Sequence, residues 1–223
     1  MGKNLLLIVL LTGIFFLWDS SILYPLKILT VFFHESSHAL VAFLTGGKVV
    51  KIIVTIDQGG AVLSSGGSRF LILTAGYLGS LSWGAAIYIF SVRTRFDKEI
   101  MCALGLIIIF VALIFIRNLF GLVFSLVVGI TMITLAIKVS EKINDFILRL
   151  IGLTSLVYVP LDIYSDIILR SHLRSDARML AEEIGGTTLI WGGLWLALSI
   201  YMIFYCLRLS HKKDFSEADT LPY

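Results

Sequence analysis

Charge is scarce in this chain. Asp, Glu, Lys and Arg make up 15% of its residues while hydrophobic side chains make up 58%, against about 25% and roughly 45 to 50% in soluble globular proteins. A water-soluble enzyme and a disordered segment are both excluded. Cysteine is scarce too: Cys102 and Cys206 each sit inside an apolar run, where a thiol behaves as a small buried hydrophobe, so neither a disulfide scaffold nor a Cys-rich metal site is available. With four histidines in the chain, any metal must be held by imidazole and carboxylate. Dense basic clusters are absent, and the net charge of +3 is scattered, which excludes nucleic acid as a partner.

What the chain has is a series of long apolar runs parted by short charged punctuation, the pattern of helices that cross a lipid bilayer. The runs lie at about 5–18, 22–44, 69–92, 100–116, 119–139, from 146 onward, and 188–207. The expected fold is therefore an all-α integral membrane bundle of about six or seven transmembrane helices, forming a single domain over 1–223 with a polar tail from 209. One segment breaks the pattern. After Gly46 and Gly47, which close the second helix, KVVKIIVTIDQGGAVLSSGG is rich in β-branched residues and carries a DQGG turn, so it reads as a hairpin with strands near 49–56 and 61–64. The run at 69–92 carries Gly76, Gly79 and Gly84 among other small residues, the composition of a helix packed closely against neighbours in lipid.

His34, Glu35 and His38 interrupt the second run with the spacing HExxH. On a helix, imidazoles at i and i+4 share a face and can grip one ion, while the intervening Glu stands beside the metal, placed to take a proton from water. Inside an apolar run such groups are costly to strand and are read as functional. Two histidines leave a tetrahedral zinc short of a protein ligand when one position is kept for water. His172 and His211 fall in charged, solvated stretches. Asp162 and Asp166 end an otherwise apolar run at i, i+4 spacing, so both carboxylates share a helical face; one would bind metal and the other would orient a histidine. Asp176 reads as the first residue of an amphipathic helix.

FFHESSHALVAFLTGGKVVKIIVTIDQGGAV followed by LTAGYLGSLSWGA, and later PLDIYSDIILRSHLRSDA followed by WGGLW, resemble the M50 membrane zinc metallopeptidases related to site-2 protease, in particular their M50B-like branch. The resemblance spans about 25–205. It implies Zn²⁺ held by His34 and His38, Glu35 as general base, and Asp162 in place of the third ligand, with Asp166 as second choice. Where site-2 proteases follow that aspartate with glycine, this chain reads LDIYSD. The implied activity is intramembrane cleavage of membrane-associated protein substrates, with the bilayer and a membrane protein as partners. A catalytically silent scaffold or chaperone that keeps the metal site is the alternative, and Glu35 argues against it, since a structural site has no need of an uncoordinated base.

The hairpin carries two expectations: an open strand edge near the site that would pair with an unwound substrate segment, with residues 49–56 as the edge, or an ordinary re-entrant hairpin that plugs the space between spans.

Overall fold

The computed structural model describes residues 3–171 and 173–210, with the side chains of 3–8 and 210 excepted. His172, His211 and the tail after 210 lie outside the described residues. In chain order the elements are α1 (Lys3–Phe16), α2 (Tyr24–Leu44), β1 (Lys48–Val54), β2 (Gly60–Ser65), α3 (Arg69–Arg93), α4 (Asp97–Phe115), α5 (Leu119–Lys138), α6 (Glu141–Tyr164) continued by a π-helical turn (Ser165–Leu169), α7 (Asp176–Ile184) and α8 (Thr188–Ser210).

Five of these helices, α3, α4, α5, α6 with its π turn, and α8, are long and apolar enough to span a bilayer. The chain is an integral, multi-pass membrane protein with a helical bundle and one two-stranded hairpin. The first two apolar runs fall outside these five: α1 has 14 residues, below the about 20 that a span needs, and α2 has 21 residues but carries the HESSH cluster at its middle.

Small residues set the distances between helices. Gly84 of α3 faces Gly152 of α6 so closely that a methyl group on Gly152 would lie 2.9 Å from the Gly84 carbonyl oxygen and 2.8 Å from the Tyr88 nitrogen. The Ser155 hydroxyl donates across the same contact to the Ser80 carbonyl, at 2.9 Å. Between α4 and α5, Gly105 and Gly129 meet in the same way. In lipid, where apolar surface gains little by leaving the solvent, such contact and interhelical hydrogen bonding hold helices together. α3 thereby becomes the hub, packed on α2, α6, α7 and α8.

The hairpin forms where expected, antiparallel, pairing Lys48 with Ser65 through to Val54 with Gly60. Gly46, at φ +84°, lets the chain leave α2 in a left-handed turn, and the Gly47 N–H closes it on the Ala42 carbonyl at 2.8 Å. The edge at 49–56, however, is taken. Ile52 bridges to Ile116, the Arg117 N–H donates to the Ile52 carbonyl at 3.1 Å, and the Asn118 amide pairs with both backbone groups of Val54, at 2.7 and 3.2 Å. The α4–α5 turn thus acts as a third strand. β2 is left as the edge strand, with no backbone hydrogen bond on its far side among the described residues.

Gly152→Val forces a branched side chain into a backbone contact, and overpacking of that kind costs about 1 to 3 kcal/mol. We expect the thermal midpoint of the purified protein to fall by several degrees, whereas Gly13→Val, at a position with open space around it, leaves it unchanged.

Candidate metal centre

One turn of α2 places His34 and His38 on the same face, their rings 4.7 Å apart. That face is turned inward, and Glu35 and His38 are buried within the bundle. The His38 Nδ1–H donates to the Ile72 carbonyl at 2.6 Å, which orients the ring and leaves the Nε2 lone pair available. His34 is steadied by Tyr77, whose ring meets it edge to face at 5.2 Å.

α3 passes α2 at this turn with Gly76 against the imidazoles. A Cβ there would overlap the Nε2 atoms of both His34 and His38, and one at Gly79 would overlap Ser37. On the opposite side β2 begins at Gly60, where a Cβ would collide with the Glu35 carboxylate. Glycine is what allows helix and strand to close over these side chains.

The third approach comes from α7. Ser175 caps it, accepting from the Arg178 N–H at 3.3 Å, and Ala177 and Leu180 are buried beneath it. Arg69 ties its far end to α3 through Glu183, at 3.0 Å. Docked this way, the first residue of α7, Asp176, points into the bundle with Oδ2 at 3.0 Å from His34 Nε2 and 3.1 Å from His38 Nε2. Burial opposes the charge on Asp176, but the two imidazoles, His38 foremost, outweigh it and hold the carboxyl well below the usual carboxylate range.

His34, His38 and Asp176 form a group whose ligand atoms all lie within 4.8 Å of one another. Zinc binds such nitrogen and oxygen atoms at about 2.0 to 2.2 Å, so neighbouring ligands in a tetrahedral site stand about 3.3 to 3.5 Å apart. Separations of 3.0 and 3.1 Å are short of that by a few tenths of an ångström. The donor set and its spacing fit zinc.

A family model described as Peptidase M50B-like matches residues 7–206. The chain belongs to the M50B-like peptidases. No curated protein and no solved structure matches it. As an M50B-like peptidase it carries the expectation of metal-dependent peptide hydrolysis within a membrane.

The structure brings His34, Glu35 and His38 together as the spacing predicted, but the carboxylate it adds to this M50B-like centre is that of Asp176. Asp162 and Asp166 are engaged elsewhere. The Arg170 guanidinium donates to Asp162 Oδ1 at 3.1 Å and to Asp166 Oδ1 at 2.9 Å, and the Tyr77 hydroxyl donates to Asp166. Both acids still line the same cavity of about 390 Å³ as Glu35, Gly60, Arg170 and Asp176. Tyr77 lies between Asp166 and His34, with its hydroxyl on the acid and its ring edge-on to the imidazole. The physical reason is the path of the chain: past Pro160, α6 loosens into a π turn, Arg170 folds back on Asp162 of α6 and Asp166 of that turn, and the next stretch returns Asp176 to the imidazoles. The SDA that closes PLDIYSDIILRSHLRSDA carried the signal, and Gly76 within AGYLG carried another, read from sequence as helix packing.

Gly76→Ala drives a methyl group into both metal-facing nitrogens. We expect zinc affinity, measured by competition against a chelator, to fall by about 10- to 100-fold, the range found when the supports of a metal site are disturbed. Gly193→Ala, at a position with open space around it, should leave zinc affinity as it was.

Proposed function

We propose that this chain is an intramembrane zinc endopeptidase that cleaves membrane-associated protein substrates. The observation that carries the reading is a single carboxylate oxygen within 3.1 Å of two imidazole nitrogens, with the buried Glu35 one residue away on the same turn. His34, His38 and Asp176 would hold the metal. When bound, zinc supplies Lewis acidity that lowers the pKa of water and polarises a carbonyl. Glu35, uncoordinated and beside the site, takes the proton from the attacking water and returns it to the leaving amine. Its burial keeps competing solvent away from that transfer. Asp166 and Tyr77 fix the plane of His34, and the Ile72 carbonyl fixes that of His38.

Substrate presentation follows from the hairpin. A membrane-spanning helix exposes none of its peptide bonds, so it must be drawn out into extended chain before hydrolysis. β2 offers unpaired backbone groups and lines the cavity through Gly60, Ala61 and Val62, so an extended substrate segment added there lies beside Glu35. Strand addition of this kind gives affinity through main-chain hydrogen bonds, with little demand on substrate sequence.

Three substitutions separate the roles, each reconstituted with a single-span test substrate and assayed for zinc content and cleavage. Glu35→Gln keeps zinc and loses turnover by at least about 100-fold, the scale of general acid–base catalysis. Asp176→Asn lowers zinc affinity and activity together, and added zinc partly restores the activity. Asp162→Asn keeps its zinc. Wild-type turnover by Glu35→Gln would contradict the mechanism, and zinc loss in Asp162→Asn would contradict the ligand set.

A further inference from the structure

A second polar cavity lies at the opposite end of the bundle, where α3 ends and α4 and α6 begin. It measures about 400 Å³, and Arg93, Arg95 and Lys142 line it together with Asp97, Glu141 and Asp145. From Gly76 at the metal centre to Arg93 at this cavity is 17 residues of α3, about 25 Å at helical rise. Arg93, Asp97 and Glu141 are the terminal residues of three membrane-spanning helices, which sets the cavity at the level of a membrane–water interface.

Two polar atoms of its lining are buried without a hydrogen-bond partner among the described residues. Asp97 is 6% exposed and its Oδ1 accepts nothing; Arg93 places Nη2 on the Leu209 carbonyl at 3.4 Å, while its buried Nε donates to nothing. A buried polar atom left without a partner costs more than an ordinary hydrogen bond contributes, so native structures tend to supply one. Here the two orphans are opposite in kind. One asks for a donor and the other for an acceptor, and both belong to the same cavity. The acids do not gather closely enough to chelate a metal ion, since the described His, Cys, Asp and Glu residues that form such a group are those of the first centre. A simple anion would leave Asp97 unmet, and a simple cation would leave Arg93 unmet.

We propose that this cavity binds a zwitterion carrying a primary ammonium group and a phosphate, the chemistry of an aminophospholipid headgroup. The ammonium donates to Asp97 Oδ1, and the phosphate accepts from Arg93 Nε. The position at the ends of three spans lets acyl chains run down the outside of the bundle while the headgroup is held between α3, α4 and α6. The site is independent of the metal centre and of its chemistry.

The test uses the full chain, delipidated in detergent and reconstituted in vesicles of phosphatidylcholine doped with phosphatidylethanolamine, phosphatidylglycerol or neither, with co-purifying lipid read by mass spectrometry. Phosphatidylethanolamine should be retained over phosphatidylcholine, whose quaternary ammonium donates no hydrogen bond, and over phosphatidylglycerol, which has no ammonium. Asp97→Asn and Arg93→Gln should each lower that retention by about tenfold or more, as expected for loss of a hydrogen bond to a charged group. Zinc content, set at the other end of the bundle, reports that each variant is folded. Competition by soluble glycerophosphoethanolamine at concentrations matched to the lipid assigns the site to a free zwitterion, and its failure to compete assigns it to the lipid. Equal retention of all three lipids, retention of phosphatidylglycerol matching that of phosphatidylethanolamine, or a folded Asp97→Asn protein that retains phosphatidylethanolamine like the wild type would overturn the proposal.

Discussion

A carboxylate oxygen lodged between two imidazole nitrogens inside an apolar bundle is the contact around which the rest of this molecule is arranged. Polar groups buried in an apolar bundle are costly to leave alone, at several kcal/mol each. They are held together by three elements arriving from different parts of the chain: a turn of α2, the glycine-lined flank of α3, and the first residue of α7. Each arrival depends on something small. Gly76 lets α3 approach the nitrogens, Gly60 lets the hairpin close over Glu35, and Ser175 caps a nine-residue helix so that Asp176 is presented inward. The long helices α4 and α5 contribute no donor to the centre; they brace β1 through Ile116 and Asn118 and so fix the hairpin above it.

That arrangement also explains which parts of the molecule were legible in the amino-acid sequence. Membrane residence followed from composition, and the spans α3 to α6 and α8 followed from run length, with ends correct to a few residues. The main boundary error was α6, which starts at Glu141 because the polar stretch Glu141 to Asp145 is helical, with Ser140 as the extended residue before it. The hairpin was legible because β-branched residues and a DQGG turn are rare companions in a chain of this kind. His34, Glu35 and His38 were legible because their spacing is local, and helical geometry turns spacing directly into proximity.

Nonlocal contacts were harder. Asp162 and Asp166 carry every local mark of a metal-binding pair, but Arg170 bridges the two carboxylates, and nothing in the spacing of acids shows where an arginine four residues past the second will fold. Asp176 sits in a charged, amphipathic stretch that reads as solvated, and its burial depends on α7 docking through Ala177 and Leu180. The open edge of the hairpin was misplaced for the same reason: that β1 is covered depends on where the α4–α5 turn comes to rest, more than sixty residues away in sequence.

The central claim is that Asp176 joins His34 and His38 on one ion. The most direct measurement replaces zinc with cobalt(II) and records the absorption spectrum of Asp176→Cys beside that of Asp162→Cys. A thiolate that ligates cobalt adds an intense sulfur-to-metal charge-transfer band, which a site of nitrogen and oxygen donors lacks. The band should appear with Cys at 176 and be missing both with Cys at 162 and in the wild type. Its appearance with Cys at 162, and not at 176, would contradict the assembly described above.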